Sequence, residues 1–272
     1  MHAPPVGQQA GDTTRARAVS GKKSANAVWT IRVKRREMLG FSDGKGRIYA
    51  AMGRQWKKNT NVFGAGCDVY FPRFFHNAPG GPLVNHFYNN GTVFAAPLKA
   101  VEVDRDGILR LKWWKNNDGL KTNPVKISLV PAGEGYFPSL KMLDWKPDPA
   151  RTTVIEGAIV RAAAGTGDHI SPRIFFDQGG GKGQCLVFSR DGVTFGNSNA
   201  AGGDFKSEQT SARGMDFGTE ARFRLLIREN MIELYLNDYL MNLKRISYNG
   251  RLGFMVDDRQ GAFKDISVWQ SK

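Results

Sequence analysis

Four apolar runs close the chain with little but turn residues between them: Phe223-Arg224-Leu225-Leu226-Ile227, Ile232-Glu233-Leu234-Tyr235-Leu236, Leu252-Gly253-Phe254-Met255-Val256 and Lys264-Asp265-Ile266-Ser267-Val268. In the second run Ile232, Leu234 and Leu236 share one face while Glu233, Tyr235 and Asn237 share the other, the period-two pattern of a strand with one buried side. The breaks at Arg228-Glu229-Asn230, Asn237-Asp238, Asn249-Gly250 and Asp257 to Gly261 consist largely of residues that accept tight-turn or left-handed backbone. This spacing predicts a β-meander, with Glu233 directed to solvent.

The rest of the chain reads the same way. Leu83 to Tyr88 and Thr92 to Ala95 flank the turn Asn89-Asn90-Gly91, and Val101-Glu102-Val103 and Ile108 to Trp114 flank Asp104 to Gly107, so each pair is expected to form a hairpin. Thr152 to Arg161, Pro172 to Phe176, Gln184 to Phe188 and Val193 to Phe195 supply further strands. No sustained helical period appears. The fold class expected is all-β, ending in a two-sheet sandwich with aromatic inward faces.

Charge and composition bound the function classes. The chain of 272 residues carries a formal net charge of +14, part of it in Arg15, Arg17, Lys22, Lys23, Arg32, Lys34, Arg35 and Arg36, with no acid between them. That stretch is the candidate polyanion-binding element, and residues 1–26, almost without large apolar side chains, are expected to be a disordered basic arm. No apolar run approaches the length of a membrane-spanning helix, so no membrane span is expected. No apolar segment follows the first basic residues either, so no conventional secretory leader is expected within this sequence, and the location expected by default is cytoplasmic unless the chain is a fragment. Cys67 and Cys185 lie too far apart for a CxxC site, and His2, His76, His86 and His169 have no ligand spacing, so neither a metal nor a cofactor is expected. The glycine-rich Gly179 to Gly183 leads into a strand rather than a helix and reads as a hairpin loop, not a phosphate cradle.

Tyr70-Phe71-Pro72-Arg73-Phe74-Phe75, Pro82 to Tyr88, Gly91 to Leu98 and Leu109 to Trp114 resemble the end of the catalytic β-propeller in bacterial relatives of glycoside hydrolase family 32, which includes levanases, inulinases and invertases. Ile232 to Asp238 and Gly250 to Phe254 are similar to the C-terminal sandwich of those proteins. The resemblance implies a partial propeller-like β unit over 27–120, a crossing segment over 121–149 and a concanavalin-like (jelly-roll) β-sandwich over 150–272. The family's Asn-Asp-Pro, Arg-Asp-Pro and Glu-Cys motifs, which carry its nucleophile, transition-state stabiliser and acid/base, are all absent from this chain.

Function is therefore expected at the level of a carbohydrate-binding or domain-supporting module, with an oligo- or polysaccharide as partner. A divergent or truncated hydrolase of fructans and a basic polyanion- or nucleic-acid-binding protein stand as alternatives. Glycoside hydrolysis needs two facing carboxyl groups, and Asp68 and Asp144, both beside aromatic residues, are the weak catalytic candidates, while Glu156 and Glu233 are expected on solvent-facing strand positions. Sugars present apolar C–H faces that stack on indole rings, which makes Trp113, Trp114 and Trp145 the candidate carbohydrate-binding residues.

Overall fold

The computed structural model describes the strands Ala16–Val19, Val28–Val33, Arg36–Ser42, Ile48–Met52, Asn61–Phe63 and Val69–Phe75, and then residues 78–89, 93–103, 109–161, 172–189, 192–199, 205–212, 217–255 and 261–271. Among the described residues everything regular is β except one short 3₁₀ turn, Lys115–Leu120. None forms a helix long and apolar enough to cross a membrane. The all-β expectation is met.

The first five strands make an antiparallel sheet in chain order. Its opening strand, Ala16–Val19, lies inside the stretch 1–26 expected as an arm and pairs with Val28–Val33. The remaining strands form two larger sheets. One runs Asn123–Val125, Gly261–Gln270, Thr153–Arg161, Glu220–Arg228, Met231–Leu236, Tyr239–Arg245, Leu109–Trp113, Lys99–Val103, Leu83–Asn89 and Val69–Phe75, with Val93–Ala95 paired to Leu83–Asn89. The other runs Leu129–Pro131, Leu140–Leu143, Leu252–Met255, Arg173–Gly179, Lys182–Phe188, Gly192–Asn199 and Phe205–Ala212.

These two sheets face each other as a sandwich over one apolar core. Ile155, Phe223, Leu225 and Leu234 meet Phe176, Leu186, Phe195 and Phe254 there, all buried. The inward placement of Ile232, Leu234 and Leu236 is as the alternation predicts. Both early hairpins form, as does the hairpin at Gly179 to Gly181, whose three glycines all take positive φ.

The closing meander needs correction. Glu220–Arg228, Met231–Leu236 and Tyr239–Arg245 are sequential neighbours, with Asn237 and Asp238 both at positive φ in the tight loop between the last two. Leu252–Met255, however, crosses to the opposite sheet and inserts between Leu140–Leu143 and Arg173–Gly179, and Gly261–Gln270 returns to pair with Thr153–Arg161. The reason lies in the faces of the short strand. Leu252 and Phe254 point into the core, while Met255 joins a second apolar cluster with Leu140, Met142 and Phe175, closed over by Tyr136 and Phe137.

Candidate functional site

Every residue of Met231–Leu236 is buried, so this strand has no solvent face. Met231 packs with Tyr88, Ala96 and Leu243, and Glu233 and Tyr235 share its side of the sheet. Three strand steps separate Met231–Leu236 from Lys99–Val103, about 14 Å in a flat sheet at roughly 4.8 Å per step. Yet Lys99 Nζ lies 2.6 Å from Glu233 Oε1. The sheet cannot be flat between them, and a single register pair, Lys112↔Tyr239, joins its two parts.

Glu233 is thus fully buried, correcting the solvent-facing position expected from its alternation. Its Oε1 accepts from Lys99 Nζ and from the Tyr88 hydroxyl, its Oε2 accepts from the Tyr235 hydroxyl at 2.5 Å, and His86 Nε2 lies 3.6 Å from Oε1. Lys99 also donates to the Pro97 carbonyl at 2.8 Å. Burial pushes the Glu233 carboxyl up to about 8 against the pull of the Tyr235 hydroxyl. Burial also drives Lys99 and His86 well below their ordinary ranges, with the Lys99 charge adding to the effect on His86.

Beside this sealed cluster the same face opens into a cleft of about 380 Å³, lined by Glu156, Arg222, Arg224, Asp238, Asp265 and Trp269 among others. Register builds it. Ser267 pairs with Glu156, Glu156 with Arg224 and Arg224 with Tyr235, so the four side chains stand in one row across four strands. Arg224 Nε donates to Glu156 Oε1 at 2.5 Å and Nη1 to Asp238 Oδ1 at 2.7 Å, a guanidinium held between two carboxylates. Its carbon lies 4.3 Å from the centroid of the Trp113 ring, a cation–π contact.

Trp113 and the segment after it hold these lining residues from outside the cleft. Trp113 donates its indole N–H to Asp118 Oδ1 at 3.1 Å and meets Tyr235 edge-on, with ring centroids 5.3 Å apart at 83°. Lys121 Nζ reaches Asp118 at 3.0 Å and Glu156 at 3.2 Å, and lies 5.3 Å over the Trp269 ring. Burial works against the Asp118 carboxylate, but hydrogen bonds from Lys121 and Trp113 hold its pKa below the usual value. Gly157, also in the lining, is closely packed on its core side. A Cβ there would stand 2.7 Å from the Phe223 ring and 2.8 Å from the Lys264 carbonyl oxygen.

Of the residues singled out by sequence, Trp113 does not line the cleft but supports it, buried beneath the Arg224 guanidinium rather than forming an open platform. Trp114 is half-buried, and Trp145 packs partly buried against the sandwich core. Asp144 is exposed and accepts hydrogen bonds from Ser128 N at 2.7 Å and Ser128 Oγ at 2.6 Å, which hold its pKa low; it does not line the cleft. Asp68 lies outside the described residues, as do Arg15, Lys22, Lys23, Lys34 and Arg35, while Arg17, Arg32 and Arg36 sit on strands of the first sheet. Sequence reasoning missed Arg224, Asp238 and Trp269 as site residues and read Glu156 only as a solvated charge. Their one signal was a set of charged and aromatic residues at polar-face positions of separate strands, and only pairing register gathers them.

No family model and no curated protein matches this sequence. Solved structures do match in fold. A β-fructofuranosidase from Schwanniomyces occidentalis complexed with fructosyl-erythritol superposes with a TM-score of 0.55 at 9% identity, covering 96% of this chain and 60% of that one. The fructofuranosidase from the same organism complexed with fructose gives 0.54 at 11% identity, covering 95% and 60%. An Aspergillus kawachii β-fructofuranosidase complexed with glycerol gives 0.50 at 8%, covering 95% and 57%. This chain therefore spans about 60% of the length of these three structures, and at these identities the likeness is one of all-β fold alone.

Proposed function

We propose that this chain is a glycan-binding β-sandwich module whose binding site is the cleft lined by Glu156, Arg222, Arg224, Asp238, Asp265 and Trp269 on the outer face of the sandwich sheet. One observation carries the reading: a single cleft combines the indole of Trp269 with an Arg224 guanidinium already held by Glu156 and Asp238. A sugar needs both kinds of group, an aromatic surface for its C–H face and oriented donors and acceptors for its hydroxyls. Fixing Arg224 in advance lowers the ordering cost of binding. The sugars in the matching fructofuranosidase structures make β-fructans the first probes. In this reading residues 27–120 are a propeller-like fragment, 121–149 the crossing and 150–272 the module.

Binding is favoured over turnover by where the unusual carboxyl lies. Glycosidases hold one carboxyl at raised pKa against the sugar. Among the described residues the raised carboxyl is Glu233, and it is sealed beneath Tyr88 and Lys99 rather than open to the cleft.

The test is titration of the purified chain with levan and inulin by calorimetry, alongside Trp269→Ala and Arg224→Ala. Wild type should bind at least one of them, and each variant should bind it at least ten-fold more weakly. No binding to either, or equal binding by all three proteins, overturns the reading. Hydrolysis of either polymer that disappears in Glu156→Gln would make the chain a glycoside hydrolase instead.

A further inference from the structure

The sealed cluster and the cleft touch through two rings. Tyr235 has its hydroxyl on Glu233 and its ring against Trp113. Trp113 in turn has its N–H on Asp118 and its face under Arg224. Arg224 is the residue that organises Glu156 and Asp238 at the cleft. Tyr235 and Glu233 are fully buried, and Trp113 and Arg224 are largely so, which leaves little room for one ring to move without the next.

We propose that Tyr235 is a positioning residue for the cleft: tethered by its hydroxyl to Glu233, it sets the plane of Trp113 and, through that ring, the guanidinium of Arg224. The inference rests on the cleft being the ligand site, as argued above. It makes the cleft sensitive to a carboxyl that no ligand touches. An ionised Glu233 accepts a charge-assisted bond from Tyr235, stronger than a neutral carboxyl can offer. The groups facing Glu233 are Lys99, His86 and Tyr88 from the covering strands and Tyr235 from its own strand, with Arg224 and Asp238 beyond the Tyr235 ring. Burial sets the Glu233 transition near pH 8, while His86 is held neutral well below its usual range.

The experiment follows the Trp113 indole N–H resonance by ¹H–¹⁵N NMR from pH 6 to pH 9, in wild type, Tyr235→Phe and Glu233→Gln, with Trp113→Phe as the assignment control. Levan and inulin affinities are measured at the two ends of the range. The expected result is a step near pH 8 in wild type, absent from both variants, and binding several-fold tighter at pH 9 than at pH 6 in wild type alone. Tyr235→Phe keeps the ring, so a role limited to filling space predicts an unchanged pH profile, and that result overturns the proposal. Should a variant fail to fold, the wild-type titration decides, because a flat Trp113 profile is equally fatal. A wild type that binds neither polysaccharide removes the glycan reading, while the Trp113 resonance still decides whether Tyr235 positions the cleft.

Discussion

Lys99 Nζ and Glu233 Oε1 are 2.6 Å apart, both side chains wholly buried, although 134 residues separate them in the chain. The contact ties the strands of the first half onto the outer face of the sandwich. It also explains why Glu233 is tolerated there. A buried carboxyl without partners is costly, and this one is met by the Lys99 amine and two phenol hydroxyls.

Removing the cation should therefore be severe and pH-dependent. Lys99→Met is expected to lose about 3–5 kcal/mol at pH 8, the range for breaking a buried pair. The Glu233 pKa is raised in the folded state, from 4.5 to about 8. The native protein then holds a proton that the unfolded chain releases, and stability contributed by that proton falls as pH rises through this window. Urea unfolding at pH 5 and pH 8 should show the variant losing less at pH 5; equal losses would place the charge elsewhere.

Leu234 points into the sandwich core and is completely buried. Leu234→Ala should cost about 2–5 kcal/mol through lost transfer energy and the cavity left behind. An unchanged denaturation midpoint would refute the inward register of this strand.

Gly157 leaves no room for a methyl group against Phe223 and the Lys264 backbone. Gly157→Ala is expected to destabilise by about 1–3 kcal/mol, the usual cost of overpacking. Because Gly157 also lines the cleft, fructan affinity should drop in the same variant. Retained stability with retained affinity would contradict the close approach.

Arg224→Lys keeps the charge but replaces a planar fork that bridges Glu156 and Asp238 while stacking on Trp113. Fructan affinity measured by calorimetry should fall about ten-fold with little change in the unfolding midpoint. Undiminished binding would mean that charge alone is what the cleft requires.

Sequence by itself determined the strands and most of their turns, since the alternation of Ile232, Leu234 and Leu236 and the turn residues Asn237-Asp238 act over a few residues of local backbone. It also gave the inward face of the sandwich. What packs on the outward face is a different question, because a period-two pattern says which side chains stand together and not what will cover them. Glu233 looks solvated until the curled sheet brings Tyr88 and Lys99 over it. Likewise Glu156 and Arg224 are 68 positions apart and adjacent only through pairing register. The closing strands changed sheets for the same reason: Leu252–Met255 has apolar surface on both sides, and only the assembled sandwich offers a place where both are buried. The cleft and the cluster beneath it are thus products of long-range pairing, which the tertiary structure alone decided.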